Sequence, residues 1–307
     1  MSVESADRRQ VRRAWRRVDG VLLLDKPVGL SSNHALQRAR RLYAAAKGGH
    51  TGTLDPLASG LLPLCFGEAT KFAGELLDAD KRYVARLRLG VTTDTADAEG
   101  RVLEQRPVDV SLDKIEAALA EFVGPIEQVP PMYSALKRDG RPLYEYARAG
   151  IDLERAARKV VVHALSLREW VVPELEFEVH CSKGTYVRTL GADIGDRLGC
   201  GGHLSALRRT AIGPLEIGAA VTLDRLEAMD DTGRAAVLAP ADSLLRSLPE
   251  ARLDAERARR IAHGQAVSWP GREGSRLRLY DPAGGFLGLG RIAGEDHLTV
   301  DRLVATR

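Results

Sequence analysis

Cysteine is scarce in this chain, and long apolar runs and nucleotide-binding signatures are missing. The three cysteines, Cys65, Cys181 and Cys200, form no CxxC pair and leave an odd one over. That excludes a disulfide framework and a zinc knuckle and fits a reducing compartment. No stretch of eighteen apolar residues occurs, and the leading MSVESADRRQVRRAWRR has charges with no apolar segment behind them. Neither a membrane span nor an export signal is expected, and a cytoplasmic location is. The glycine-rich stretch at 48–60 lacks the GK[ST] of a phosphate-gripping loop, and no GxGxxG opens a helix after a strand. The histidines, His34, His50, His163, His180, His203, His263 and His297, show no HxxH-type spacing. No metal site is expected from that spacing, and no cofactor.

What remains is a 307-residue chain that is 44% apolar, enough for one large and one small domain. The net charge of +3 is unevenly spread. Residues 1–20 carry +3, residues 251–307 carry +3, and the stretch between them carries −3. Of the 45 basic residues, 37 are Arg, whose planar fork suits phosphates and base faces; high-GC codon usage would enrich Arg equally well.

Val21–Asp25 reads as a buried strand stopped by Lys26-Pro27-Val28-Gly29. A helix follows, capped by Ser31 or Ser32, with Ala35, Ala39, Leu42 and Tyr43 on one face. Gly48–Ser59 reads as a loop, Leu61–Phe66 as a strand and Glu68–Leu77 as a helix. Strands are expected at Tyr83–Leu89, near Arg101–Leu103, at Val160–Arg168, Leu175–Cys181 and Thr210–Gly213; helices at Asp113–Phe122, Tyr144–Ala149 and Tyr186–Leu198. Paired prolines predict an extended Gln128–Leu136. Strands outnumber helices and follow one another directly in places, which predicts an α+β fold with a mixed or antiparallel central sheet flanked by helices. After a linker within Ala239–Pro249, three short strands separated by glycine-rich turns predict a small β-barrel-like tail. The resulting division is a mobile basic arm at 1–18, a main domain at 19–245 and a β-rich domain at 250–307.

Asp55 is the only acid within ten residues on either side. Alone, Asp55-Pro56 would simply start a turn or helix. Ser134-Ala-Leu-Lys137 matches SxxK, an acyl-transfer pattern, but without its accompanying SDN and KTG elements. The stretch around Asp55, GHTGTLDPLASGLLPLCFGEATKF, is much longer than a turn requires. Together with GVLLLDKPVGLSSN at 20–33, KRYVARLRLGVTTDTADAEG at 81–100, PPMYSALKRDGRPLYEYARAGI at 130–151, HCSKGTYVRT at 180–189 and LGCGGHLSALRRTAIG at 198–213, it resembles the TruB family of tRNA pseudouridine synthases. The tail resembles the RNA-binding PUA domain.

The resemblance implies isomerisation of uridine at position 55 of the tRNA T loop by a base-flipping, cofactor-free enzyme of pseudouridine-synthase fold. It further implies a tRNA partner engaged at the T stem-loop and the acceptor side, in a monomer without obligate protein partners. It makes Asp55 the catalytic carboxylate, acting at the anomeric carbon, at C6 or in elimination. Arg188 becomes the cation that keeps Asp55 charged, and Tyr83 the catalytic ring that stacks on the flipped base or transfers a proton. Tyr186 and Leu207 would line the uracil pocket, His50 would occupy the space the base vacates, and Lys26 would position the Asp55 loop or hold a phosphate. A non-enzymatic RNA-binding or assembly protein with the same fold is the alternative.

Overall fold

The computed structural model describes residues 14–294 and 296–305. The strands that build the site are β1 (Gly20–Lys26), β2 (Gly48–His50), β3 (Ala58–Phe66), β4 (Lys81–Leu89), β5 (Gly124–Gln128), β6 (Arg158–Val171), β7 (Glu174–Cys181) and β8 (Gly202–Ile212). They belong to a sheet that counts eleven strands among the described residues, with β1, β3, β8, β4, β7, β6 and β5 side by side in that order. All of these neighbours are antiparallel except β3 and β8, which run parallel over three residue pairs. The architecture is the expected mixed α+β.

The local chemistry explains the elements. β1 is apolar on both faces because both are covered: Val21, Leu22 and Leu24 are fully buried. β4 alternates buried and exposed side chains along most of its length, as a half-buried strand must. Pro63 is tolerated inside β3 because β8 pairs only with its start and β2 only with its end, so the proline's missing N–H falls where no second strand needs it. Helix α1 (Ser32–Tyr43) starts at Ser31, whose side chain accepts from the His34 N–H, and stops at Ala44 in the left-handed region. Helices α2 (Leu112–Glu121) and α3 (Val187–Arg197) lie near their expected positions.

Three expectations shift. β8 begins at Gly202, eight residues before the predicted Thr210. Its adjacent Arg208 and Arg209 mask the strand pattern, yet Arg209 is only 1% exposed. Residues Gly67–Leu76 form 3₁₀ turns instead of an α-helix, and Gly48–His50 pairs with β3 instead of remaining loop.

The tail holds β9 (Glu250–Arg252), helix α4 (Ala255–Ala262), β10 (Val267–Ser268), β11 (Arg276–Tyr280), β12 (Phe286–Ala293) and β13 (His297–Leu303), with sheet order β9-β11-β12-β13-β10. Ile261, Leu279, Ile292 and Leu298 fill its core. It is fastened to the main sheet: Arg276 forks onto Glu75 at 2.6 and 2.8 Å, and Phe286 meets Phe72 edge-on at 5.5 Å. The expected linker is itself packed, with Leu244 and Leu245 buried beside Phe72 and Leu76. Of the expected arm, residues 1–13 lie outside the described residues. Residues 14–18 rest on the end of α1, where the Arg40 guanidinium covers Trp15 at 4.4 Å and Arg16 Nε donates to the Tyr43 carbonyl.

Candidate active site

Asp55 sits at the tip of the loop that joins β2 to β3, and three neighbours hold that loop. Buried Ser32, in the first turn of α1, accepts from the Leu54 N–H at 2.7 Å and donates to the Leu54 carbonyl at 3.0 Å. The Gly29 N–H donates to the Pro56 carbonyl at 2.8 Å. From β8, Arg209 Nε donates to the Leu61 carbonyl at 2.8 Å, and its two terminal nitrogens reach the Thr53 and Gly52 carbonyls at 3.5 Å. Gly60 permits this approach: with φ +104°, it would bring a Cβ to 2.3 Å from the Arg209 carbonyl oxygen.

The partner of Asp55 comes from α3. A Cβ at Gly195 would lie 2.5 Å from the backbone of Gly201 and Gly202, so glycine there lets the helix settle on the start of β8. At the other end of that helix, Arg188 is 4% exposed. Its Nε meets Asp55 Oδ2 at 2.9 Å. The rest of the guanidinium is satisfied by Asp97 Oδ2 at 3.4 Å, the Thr95 carbonyl at 3.1 Å and the Tyr133 carbonyl at 2.6 Å. Residues about 130 apart in sequence thus form the expected ion pair. Asp97, 3% exposed, makes a second carboxylate on the same cation. Its own Oδ1 accepts from Thr95 Oγ1 at 2.6 Å and from the Glu99 N–H at 3.1 Å.

The Asp55 side chain keeps 38% of its surface open to a cavity of about 220 Å³ and is enclosed by protein elsewhere. Enclosure raises its pKa above the usual carboxylate value; Arg188 opposes this, Asp97 adds to it, and Lys26 opposes it more weakly. Asp55, Tyr83, Tyr186, Arg188, Leu207 and Arg209 all line the cavity. Burial pushes the Tyr83 hydroxyl's pKa up while the charge of neighbouring Arg209 pulls it down. Arg209 carries a lowered pKa from complete burial, with Tyr83 as its compensating partner. It remains a cation, since a guanidinium does not deprotonate in a protein.

His50 and Lys26 do not line the cavity. His50 is half-buried on β2, its pKa lowered by burial and by Arg209. Lys26 is fully buried at the end of β1, where its Nζ donates to the Pro27 carbonyl at 2.9 Å and the Leu30 carbonyl at 2.6 Å. It ties down the turn that supplies Gly29, and burial brings its pKa down to about 8 despite the attraction of Asp55.

Asp97 and Arg209 are the two residues that sequence reasoning missed. Asp97 lies in a run that reads as turn chemistry, and Arg209 in a pair that reads as surface charge. Ser134 and Lys137, the acyl-transfer candidates, part company: Ser134 is buried at the cavity and Lys137 is exposed on a short ribbon. The histidines judged scattered are not all so, because His163 and His180 converge on Asp80.

A mixed sheet with a buried guanidinium shared by two carboxylates beneath a small cavity, and a β tail fastened alongside, is the architecture of a pseudouridine synthase. A solved structure described as a Cbf5-Nop10-Gar1 complex matches it with a TM-score of 0.71 at 27% identity, covering 92% of this chain and 84% of that one. Another, described as an H/ACA RNP bound to a substrate RNA containing 2′-deoxyuridine, gives 0.70 at 25% identity over 94% and 86%. The chain belongs to the TruB family of pseudouridylate synthases. Its N-terminal domain model matches residues 40–187, the tRNA pseudouridylate synthase B C-terminal domain residues 188–246, and the pseudouridine synthase II TruB C-terminal domain residues 249–304. The tRNA pseudouridine synthase B of Burkholderia mallei (strain ATCC 23344) is 59% identical, over 96% of this chain and 97% of its own. That of Dechloromonas aromatica (strain RCB) is 54% identical, over 96% and 98%. Family membership makes this chain an enzyme and sets aside both the acyl-transfer and the non-enzymatic readings.

Proposed function

We propose that the chain converts uridine to pseudouridine at position 55 in the T loop of tRNA, in the cytoplasm, with Asp55 as the catalytic carboxylate. The observation that carries this reading is the 2.9 Å Arg188–Asp55 contact opening onto the cavity. A volume of about 220 Å³ is below the roughly 300–1,000 Å³ of sites that enclose drug-sized ligands, and it suits a single pyrimidine ring.

In the reaction the N1–C1′ bond breaks, a C5–C1′ bond forms, C5 loses its proton and N1 gains one. The product has the same atoms as the substrate, so the balance needs no oxidant or reductant. A stacked T-loop uridine must first be flipped out, at a cost of a few kcal/mol. Stacking on Tyr83 and apolar contact with Leu207 and Tyr186 offset part of that cost. Asp55 then faces the nucleoside, and Arg188 keeps it anionic against the desolvation that the base imposes. Arg209 holds the loop carbonyls and places its charge beside Tyr83, so it borders both the stacking ring and the carboxylate's loop. Lys26 acts through the turn it holds, and His50 fills the space the flipped base leaves in the RNA.

The tail supplies phosphate contacts without base readout, as its excess of Arg suits. The test is to map pseudouridine after incubating the purified protein with tRNA and with a tRNA lacking the T-loop uridine. Modification at that position alone supports the reading, and an unmodified tRNA that still binds refutes it.

A further inference from the structure

We propose that Asp80, His163 and His180 form a binding site for one divalent transition-metal ion of the zinc class. The site lies outside the Asp55 cavity and does not depend on the reading of that cavity. One ligand atom from each of the three residues falls within 4.8 Å of the others. His163 Nε2 stands 3.2 Å and His180 Nε2 4.0 Å from Asp80 Oδ2, and the two rings are 4.8 Å apart between centroids. Zinc held by nitrogen and carboxylate oxygen at about 2.0–2.2 Å needs donor–donor separations of about 3.4 Å. The largest separation therefore has to close by no more than about 1.4 Å, within reach of small rotations of three half-exposed side chains.

The fold brings the ligands together by a specific device. On β6 the register against β7 jumps between Val162 and Ala164, so His163 is the extra residue of a β-bulge beside His180. His163 and Ala164 thus both oppose His180, and opposed residues of an antiparallel pair share one face, which sets the two imidazoles side by side. Asp80 ends the turn before β4, whose Arg82 lies opposite His180, and its carbonyl is pinned by the Gly213 N–H at 2.9 Å.

Two imidazoles and one carboxylate are the donor set of zinc and its first-row neighbours, whereas magnesium and calcium prefer oxygen alone. Three protein ligands leave a coordination position open, beside a cavity of about 490 Å³ that Asp80 and His180 help to line. Arg82, opposite His180 on β4, places a like charge beside the bound cation.

The test titrates untagged, metal-free protein with Co²⁺ and Zn²⁺, reading Co²⁺ visible absorption and the heat of Zn²⁺ binding. One saturable equivalent is expected, with Zn²⁺ displacing Co²⁺ and X-ray absorption of the zinc-loaded protein showing two imidazole ligands. His163→Gln, His180→Gln and Asp80→Asn should each abolish that equivalent while keeping the metal-free circular dichroism. The control His263→Gln should retain it. Absence of saturable binding by the wild-type protein, an absorption spectrum without imidazole scattering, or binding that survives in the three site variants would overturn the proposal.

Discussion

Replacing Arg188 by lysine separates the geometry of the ion pair from its charge. The guanidinium reaches four acceptors in three directions: Asp55, Asp97 and the carbonyls of Thr95 and Tyr133. An ammonium keeps the charge but donates from one nitrogen, so it cannot reach Asp55 and Tyr133 together. Losing two hydrogen bonds to a charged group, each about 1.5–3 kcal/mol, removes about 3 kcal/mol or more of organisation around Asp55. If that loss falls on the transition state, kcat/KM drops about 100-fold. The pH profile carries the sharper signature. Asp55 must be ionised, and its pKa is already raised by burial and Asp97 against the opposition of Arg188. A rate that requires the anion falls as pH drops through that pKa. Weakening the opposing cation raises the pKa further, so the acid limb of Arg188→Lys should move to higher pH. Single-turnover tritium release from tRNA carrying 5-tritiated uridine measures both effects. An unshifted acid limb with an unchanged rate would refute the pairing as the means of keeping Asp55 charged.

Further predictions follow from the supports of the loop and from the tail. Ser32→Ala leaves the Leu54 N–H and carbonyl without their partner, so it should destabilise the fold by about 1–3 kcal/mol and slow turnover more than it weakens tRNA binding; urea unfolding and single-turnover rates check this. Arg209→Met should cost about 1–3 kcal/mol, because it strands the buried Leu61 carbonyl and removes the contacts to the Gly52 and Thr53 carbonyls, and a loss under about 1 kcal/mol in urea would contradict its role. Lys26 has a folded pKa of about 8 against an ordinary lysine value of 10.5, so the unfolded chain binds more protons between those values. Its contribution to stability therefore rises with pH across that window, by about 3 kcal/mol at most, and the stability difference between wild type and Lys26→Met should follow that rise. On the tail, Arg259→Ala should weaken tRNA binding and flatten the dependence of log affinity on log salt by about 1, if that side chain meets a phosphate.

The elements legible in the sequence are those with an uninterrupted pattern. β1 and β4 announce themselves by a continuous and an alternating apolar run, and α1 by its serine cap and buried stripe. β8 is half hidden because two arginines interrupt its apolar pattern, and a buried guanidinium satisfied by carbonyls looks in sequence like surface charge. The same reason hides Arg209 from the site. Asp55 and Arg188 were found through the resemblance of long motifs, since neither an Asp-Pro step nor a lone Arg specifies a function. Asp97 escaped because only the folded chain shows that a turn acid shares the Arg188 cation. His163 and His180 are separated by seventeen positions, and only strand pairing with a bulge brings them to Asp80. The packed segment at 239–249 shows a related limit: Leu244 and Leu245 are covered by a neighbour that a reading of composition alone does not see.

Asp55→Asn tests the central claim most directly, because the substitution keeps the size of the side chain and removes its charge. The measurement is tritium release from 5-tritiated tRNA at saturating enzyme, alongside tRNA affinity and thermal unfolding of the same preparation. Release should disappear while affinity and folding persist. Release at the wild-type rate from a folded, tRNA-bound Asp55→Asn protein would contradict the account.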